Sequence, residues 1–366
     1  MSITWTIVLL LITIYSNTVS SKESELLSVT VLFRHGFRTP RFLYKNDPYK
    51  QEASKIWPEG FGELTNIGKR EAFALGQWYR EKYRSFIPEK YNSNFLRVLS
   101  SDKDRCLMSA ACSLAGLYPP KKEQIWNENL QWQPIPIHTR PVSIDGMVAA
   151  DDRHCKKYDR LYQELMKSEN SINFFKSKSS IFEYVSNHTG ESKRTFLDIT
   201  NFHDTLFIEQ NYNLTLPNWT KKVFPHKTLP LLTMRYAFDS KTVELGRLKS
   251  GLLLDYITTF FEDVLQKPAT SQKFLMISTH DSTIARFLNI LGAYDYTWPE
   301  YASTLVFELR RKGNNDFLKI YFKDSKKIRD IKLPRCSLDC NFDDFKNITK
   351  NFRINDEEWV KECSSD

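Results

Sequence analysis

Val29-Thr30-Val31-Leu32-Phe33-Arg34-His35-Gly36-Phe37-Arg38-Thr39-Pro40 decides how this chain reads, because an apolar, β-branched run stops abruptly at two arginines around one histidine. Across residues 26–33 nearly every side chain is apolar. That is the pattern of a strand covered on both faces, as in a parallel sheet flanked by helices. Such sheets gather ligands at the carboxyl ends of their strands. Arg34, His35 and Arg38 fall at that end, two fixed positive charges around an imidazole, and Gly36 lets the backbone turn or approach a ligand. The set suits a phosphoryl group.

Working outward, the same arrangement recurs twice. Residues 95–99 read as a second buried strand, with Ser100, Ser101 and Asp102 as capping candidates for a helix over 103–117 that ends before Pro119 and Pro120. Arg105 falls in the first turn of that helix, where the dipole disfavours a cation unless an anion binds there. Residues 274–277 form a third short apolar strand, followed by His280 and Asp281 and a helix over 284–291 closed by Gly292. Between these, Thr65 caps a helix whose Ile67, Ala74, Leu75 and Trp78 share the face expected to pack on the sheet. A helix is expected over 251–265. Residues 304–309 and 317–322, joined through Gly313, read as a hairpin at the sheet's edge. The fold class expected is α/β: a mainly parallel central sheet flanked by helices, with a smaller, mainly helical cap. The core would be discontinuous, 21–120 and 268–366. Residues 121–267, rich in aromatics, would form the cap and contribute some core helices.

Three strand ends thus bring together Arg34, His35 and Arg38, then Arg105, then His280 and Asp281. Arginine's planar fork binds phosphate oxygens bidentately and never loses its charge. With that charge neutralised, a neutral His35 could attack phosphorus in line with the leaving oxygen. Asp281 is the nearest acid for the leaving alkoxide and could then activate water. No cofactor is called for. His138, His154, His188, His203 and His226 lack metal-ligand spacing and read as ordinary histidines.

The chain has 366 residues, 41% of them hydrophobic, and a formal charge of +8. That is enough to bury a large core. The basic residues are scattered and accompany no nucleic-acid reader motif, so no nucleic-acid partner is expected. Residues 1–20 are uncharged with an apolar run over 5–15 and read as a signal peptide, and no membrane anchor is expected after it. Secretion makes the six cysteines candidates for disulfides. Cys336 and Cys340 are close enough for a local bridge, and Cys155 could reach Cys363 only through the fold. Cys106 and Cys112 lie on different faces of one helix and read as buried thiols, although spacing alone does not choose among the pairings. Asn-x-Thr sequons at Asn187, Asn213, Asn218 and Asn347 agree with the secretory route.

At these residues the chain resembles the histidine acid phosphatases, the branch of the histidine phosphatase superfamily that includes prostatic, lysosomal and insect venom acid phosphatases. The match runs from Arg34-His35-Gly36-Phe37-Arg38-Thr39-Pro40 through Gly62-Glu63-Leu64-Thr65, Asp104-Arg105-Cys106-Leu107-Met108-Ser109, Trp132-Gln133-Pro134-Ile135-Pro136 and Leu214-Thr215-Leu216-Pro217-Asn218-Trp219 to His280-Asp281. The resemblance implies His35 as nucleophile, Asp281 as proton donor, and Arg34, Arg38, Arg105 and His280 as the phosphate pocket. It also supports pairing Cys155 with Cys363 and Cys336 with Cys340, leaving Cys106 and Cys112 free. Relatives often carry Asp where Phe37 stands, and vertebrate relatives a cysteine pair where Ile208 and Thr304 align. The expectation is a secreted or lysosomal phosphatase acting on a small phosphomonoester or a phosphoprotein, and compatible with a homodimer. A phytase-like specificity and a catalytically silent secreted binding protein are the alternatives. The silent protein would be expected to have lost His35 or Asp281.

Overall fold

The computed structural model describes residues 24–364, so the signal peptide expected at 1–20 lies outside the described residues. Strand β1 (Glu25–Arg34) sits in the middle of a seven-stranded sheet. It pairs in parallel with β3 (Phe274–Thr279), which pairs in parallel with β2 (Leu96–Ser100). On its other side β1 runs antiparallel to β4 (Thr304–Lys312), and β4 to β5 (Asn315–Lys323). The sheet is therefore mixed rather than mainly parallel. The cause is local: the chain returns to the carboxyl end of β1, where Arg34 N–H donates to Ser303 O at 3.0 Å, so β4 starts there and must run back. Gly313, at φ 61°, supplies the left-handed turn into β5. The hairpin does not end the sheet, because β6 (Ile328–Asp330) and β7 (Asp339–Asn341) both pair with β5.

Strand alternation splits the core in two. Val29, Val31 and Phe33 pack with α2 (Asn66–Lys82) and α3 (Asp104–Leu117) on one face. Leu32, Leu275 and Ile277 pack with α8 (Val243–Gln266) and α9 (Asp281–Ile290) on the other. Thr65 caps α2 as expected, its hydroxyl accepting from Gly68 N–H. The buried face of α2 is Gly68, Ala72, Leu75, Gly76 and Tyr79, whereas Ile67 and Ala74 are exposed and Trp78 only half-buried. Close packing on α3 explains this: a Cβ at Gly76 would lie 1.8 Å from Ser113 O, and one at Gly116 2.2 Å from Phe73 O. Helix α3 starts after Lys103, which gives no side-chain cap, so none of Ser100, Ser101 and Asp102 caps it. Of its two free thiols only Cys106 is fully buried; Cys112 is half-buried.

After the short α1 (Ala53–Ile56), the remaining helices up to α7 build the cap: α4 (Lys156–Lys167), α5 (Glu169–Thr189), α6 (Phe196–Asn211) and α7 (Thr228–Asp239). They enclose their own aromatic core around Phe182, Phe196, Phe202 and Phe238, with Tyr44 from the loop after β1. Helix α8 begins at Val243 rather than 251, capped by Thr242, and packs under the sheet. At the C-terminal end α10 (Phe342–Thr349) and α11 (Asp356–Ser364) close over α8. Disulfides join Cys155 to Cys363 and Cys336 to Cys340. All four sequon asparagines are exposed.

Candidate active site

Strand register places the site. Arg34 pairs with Thr279 and Ser100 with Ser278, so β1, β3 and β2 all end at one edge. The chain leaves that edge as His35, His280 and Ser101. Backbone bonds hold it there: His35 N–H to Thr279 O at 3.0 Å, Ser101 N–H to Ser278 O at 3.1 Å. The turn at Gly36 leaves no room for a side chain, since a Cβ would lie 2.2 Å from Gly68 O at the start of α2. The Gly36 N–H donates to Ser109 Oγ at 3.0 Å and the Phe37 N–H to Glu71 Oε2 at 2.8 Å.

His35 is 2% exposed. Its Nδ1 lies 2.8 Å from Gly36 O, and a carbonyl can only accept, so Nδ1 carries the hydrogen and Nε2 keeps its lone pair. Arg105 Nε approaches that Nε2 at 3.2 Å. Burial first, then the charges of Arg105, Arg34, His280 and Arg38, holds the imidazole's pKa well below its ordinary value. The ring is neutral at mildly acidic pH and its Nε2 faces cations.

The arginines differ in their surroundings. Arg38 is paired with Asp204 of α6 at 2.9 Å, and its Nη1 donates to Thr39 O. Arg34 donates to Pro299 O at 2.7 Å, lies 3.2 Å from Asp281 Oδ2, and stacks on the Tyr301 ring at 3.7 Å, with Trp298 at 4.8 Å. Arg38, Arg105, His35, His280 and Asp281 line the cleft. Arg34 is fully buried beside them, between the aromatic rings and Asp281. The buried Nε atoms of Arg34 and Arg38 have no hydrogen-bond partner among the described residues. Buried donors of that kind are costly unless an acceptor arrives.

His280 is the N-cap residue of α9, and its Nε2 lies 2.9 Å from Ser101 Oγ. Burial, then Arg105, pushes its pKa down to about 3, so the ring is neutral. Asp281 opens α9, which begins here rather than at 284. One carboxylate oxygen accepts from Trp298 Nε1 at 2.8 Å and faces Arg34; the other accepts from Ser282 N–H at 2.8 Å. Burial opposes ionisation, yet Arg34, the indole N–H and Arg38 outweigh it and hold the carboxyl well below its usual range.

The structure brings all six residues anticipated from sequence to one strand edge. It adds four that carry no local signature: Asp204 pairing Arg38, Trp298 holding Asp281, Tyr301 beneath Arg34 and Ser101 on His280. Trp298 and Tyr301 come from the loop after α9, which sequence pattern alone assigns no task. Phe37 packs in a small apolar cluster with Ile208 and Tyr301. No group of His, Cys, Asp and Glu among the described residues could hold a metal ion.

A family model described as histidine phosphatase superfamily, branch 2, matches residues 25–323. The chain belongs to that superfamily. It is 34% identical to the lysosomal acid phosphatase of Xenopus laevis, over 98% of this chain and 83% of that one. It is 33% identical to the prostatic acid phosphatase of Bos taurus, over 94% and 89%. Among solved structures, the Hafnia alvei phytase in complex with myo-inositol hexakis sulphate superposes with a TM-score of 0.66 at 15% identity, covering 92% of this chain and 98% of that one. The Klebsiella sp. ASR1 phytase does so with 0.65 at 16%, covering 90% and 96%. These two similarities concern the fold. This histidine phosphatase is a phosphoric monoester hydrolase of the acid phosphatase type.

Proposed function

We propose that His35 Nε2 attacks the phosphorus of a phosphate monoester while Arg34, Arg38, Arg105 and His280 hold the phosphoryl oxygens and Asp281 handles the proton. The observation that carries this is the His35 tautomer: Gly36 O fixes the hydrogen on Nδ1, and the unprotonated Nε2 accepts from Arg105 and lies among cations. A phosphoryl oxygen that takes the N–H of Arg105 releases the Nε2 lone pair for attack. The P–N bond forms as the P–O bond to the leaving group breaks, and the departing oxygen takes the proton of Asp281. Water then attacks phosphorus, gives its proton to Asp281, and phosphate leaves as the P–N bond breaks.

The cleft favours a single phosphoryl group over a polyphosphorylated ligand. Most of its cations are already matched: Arg38 with Asp204 at 2.9 Å, Lys103 with Asp152 at 3.3 Å, Arg286 with Asp151, and Arg235 with Asp239 at 3.6 Å. Small phosphomonoesters are therefore the preferred substrates, and the phytase-like alternative is disfavoured. Two disulfides and four exposed sequons support a route through the secretory pathway to secretion or the lysosomal lumen. Among the described residues no helix is long and apolar enough to cross a membrane.

The test is rapid alkaline-quench trapping with a radiolabelled phosphoester. Wild-type protein should retain acid-labile, base-stable label, and His35→Ala should retain none while keeping its fold by circular dichroism. Label persisting in the variant would remove His35 from the role of nucleophile.

A further inference from the structure

The loop after the catalytic arginines is pinned to cap helix α6 at several points, and one of them joins two acids. Thr205 Oγ1 donates to Phe42 O at 3.0 Å, next to Asp204, the partner of Arg38. Further along α6, Glu209 is fully buried and faces Asp47, which is 6% exposed. Asp47 accepts from Tyr49 N–H at 2.9 Å through one oxygen. Its other oxygen, and both oxygens of Glu209, have no donor among the described residues. Among the described residues, Tyr44, Tyr49 and Lys50 are the other ionisable groups that face the pair, all from the same loop; Lys50 is exposed, and the buried Tyr44 hydroxyl likewise has no partner there.

Two apposed buried carboxylates without a buried cation would repel at low dielectric, whereas a single shared proton turns the same contact into a short, charge-assisted hydrogen bond. We propose that Asp47 and Glu209 share one proton, and that this bridge ties the loop before α1 to α6 and so keeps Asp204 and Arg38 in register. The two acids are positioning residues, acting on the phosphoryl clamp through Arg38. Burial, then Asp47, pushes Glu209 up to about 9. The folded protein then holds a proton that the unfolded chain releases near pH 4.5, so stability falls as pH rises between those limits. The bridge is intact at the pH of an acidic compartment and weakens on alkalinisation. Its effect on turnover rests on the reading of Arg38 given above; its effect on stability does not.

The experiment compares wild type with Glu209→Gln, whose amide donates without ionising. Thermal unfolding is followed from about pH 5 to about pH 8, beside KM and kcat for p-nitrophenyl phosphate. Wild type should lose melting temperature across this range. Glu209→Gln should flatten most of that decline and reduce the rise of KM with pH, with little change in kcat. Equal slopes in the two proteins would overturn the proposal. So would stabilisation of wild type by calcium at neutral pH that is absent from the variant, because a cation would then occupy the pair. A flattened melting profile with unchanged KM would keep the bridge but remove its link to Arg38. Should the variant fail to fold, wild type labelled with carboxyl-¹³C aspartate or with carboxyl-¹³C glutamate supplies the answer: infrared spectra at neutral pH should contain a protonated carboxyl in at least one of the two samples, and its absence from both would overturn the bridge.

Discussion

In the role proposed for it, Asp281 has two demands on it that pull in opposite directions. Arg34 at 3.2 Å and the Trp298 N–H at 2.8 Å stabilise its carboxylate, which is the wrong form for an acid. A bound phosphoryl group brings negative charge into the same field and offsets the arginines, raising the carboxyl's pKa when the proton is needed. Activity should therefore peak at acidic pH and fall as Asp281 ionises in the complex. An alkoxide leaves poorly without a proton, whereas p-nitrophenolate leaves readily. Asp281→Asn should thus lower single-turnover phosphorylation by alkyl phosphates about 100-fold or more, the usual worth of a positioned general acid, and by p-nitrophenyl phosphate far less. Equal losses on both substrates would mean that Asp281 orients the site and another group supplies the proton. The place of Asp281 at the cleft was legible from sequence because it follows a strand end. Trp298 was not, since it reaches Asp281 from across a loop.

At the scale of elements, the strands were legible because burial on both faces leaves an unbroken apolar run, as in β1 and β3. Faces of helices were harder. Apolar spacing points to Ile67 and Ala74 as the packed face of α2, but the contact with α3 is made where side chains are smallest, and glycine carries no hydrophobic signal. The direction of β4 was also hidden, because it depends on the loop before it returning to the carboxyl edge of β1. Gly76→Ala tests the α2–α3 contact. Helix propensity alone would favour alanine by about 1 kcal/mol. Against that, the new Cβ would sit 1.8 Å from Ser113 O, a backbone atom that no rotamer change can move away. Overpacking typically costs about 1–3 kcal/mol and here should exceed the propensity gain. A lower melting temperature for Gly76→Ala is the expected outcome; an unchanged or raised one would show that the helices slide apart freely.

For the whole molecule, the question is what holds cap, sheet and C-terminal helix as one body. Helix α11 does much of this. Trp359 Nε1 donates to Leu248 O at 2.8 Å, Arg153 stacks on the Trp359 ring at 3.7 Å, and Glu362 meets Lys157 at 2.7 Å and Arg247 at 2.9 Å. The Cys155–Cys363 disulfide fixes α11 to the start of α4 across a sequence separation of 208, whereas Cys336–Cys340 spans a separation of 4. In the chain-entropy account a cross-link stabilises by restricting the unfolded chain, and more so the longer the loop it closes: about 5 kcal/mol for the first bridge and about 2 kcal/mol for the second. Replacing each pair by alanine should therefore give unequal losses in urea unfolding, the Cys155/Cys363 variant losing roughly twice as much or more. Both should keep their phosphatase activity at low temperature, since neither bridge contributes a residue to the cleft. Equal losses would mean that loop length in the unfolded chain does not set what these bridges contribute, and that the chain-entropy account fails for this protein.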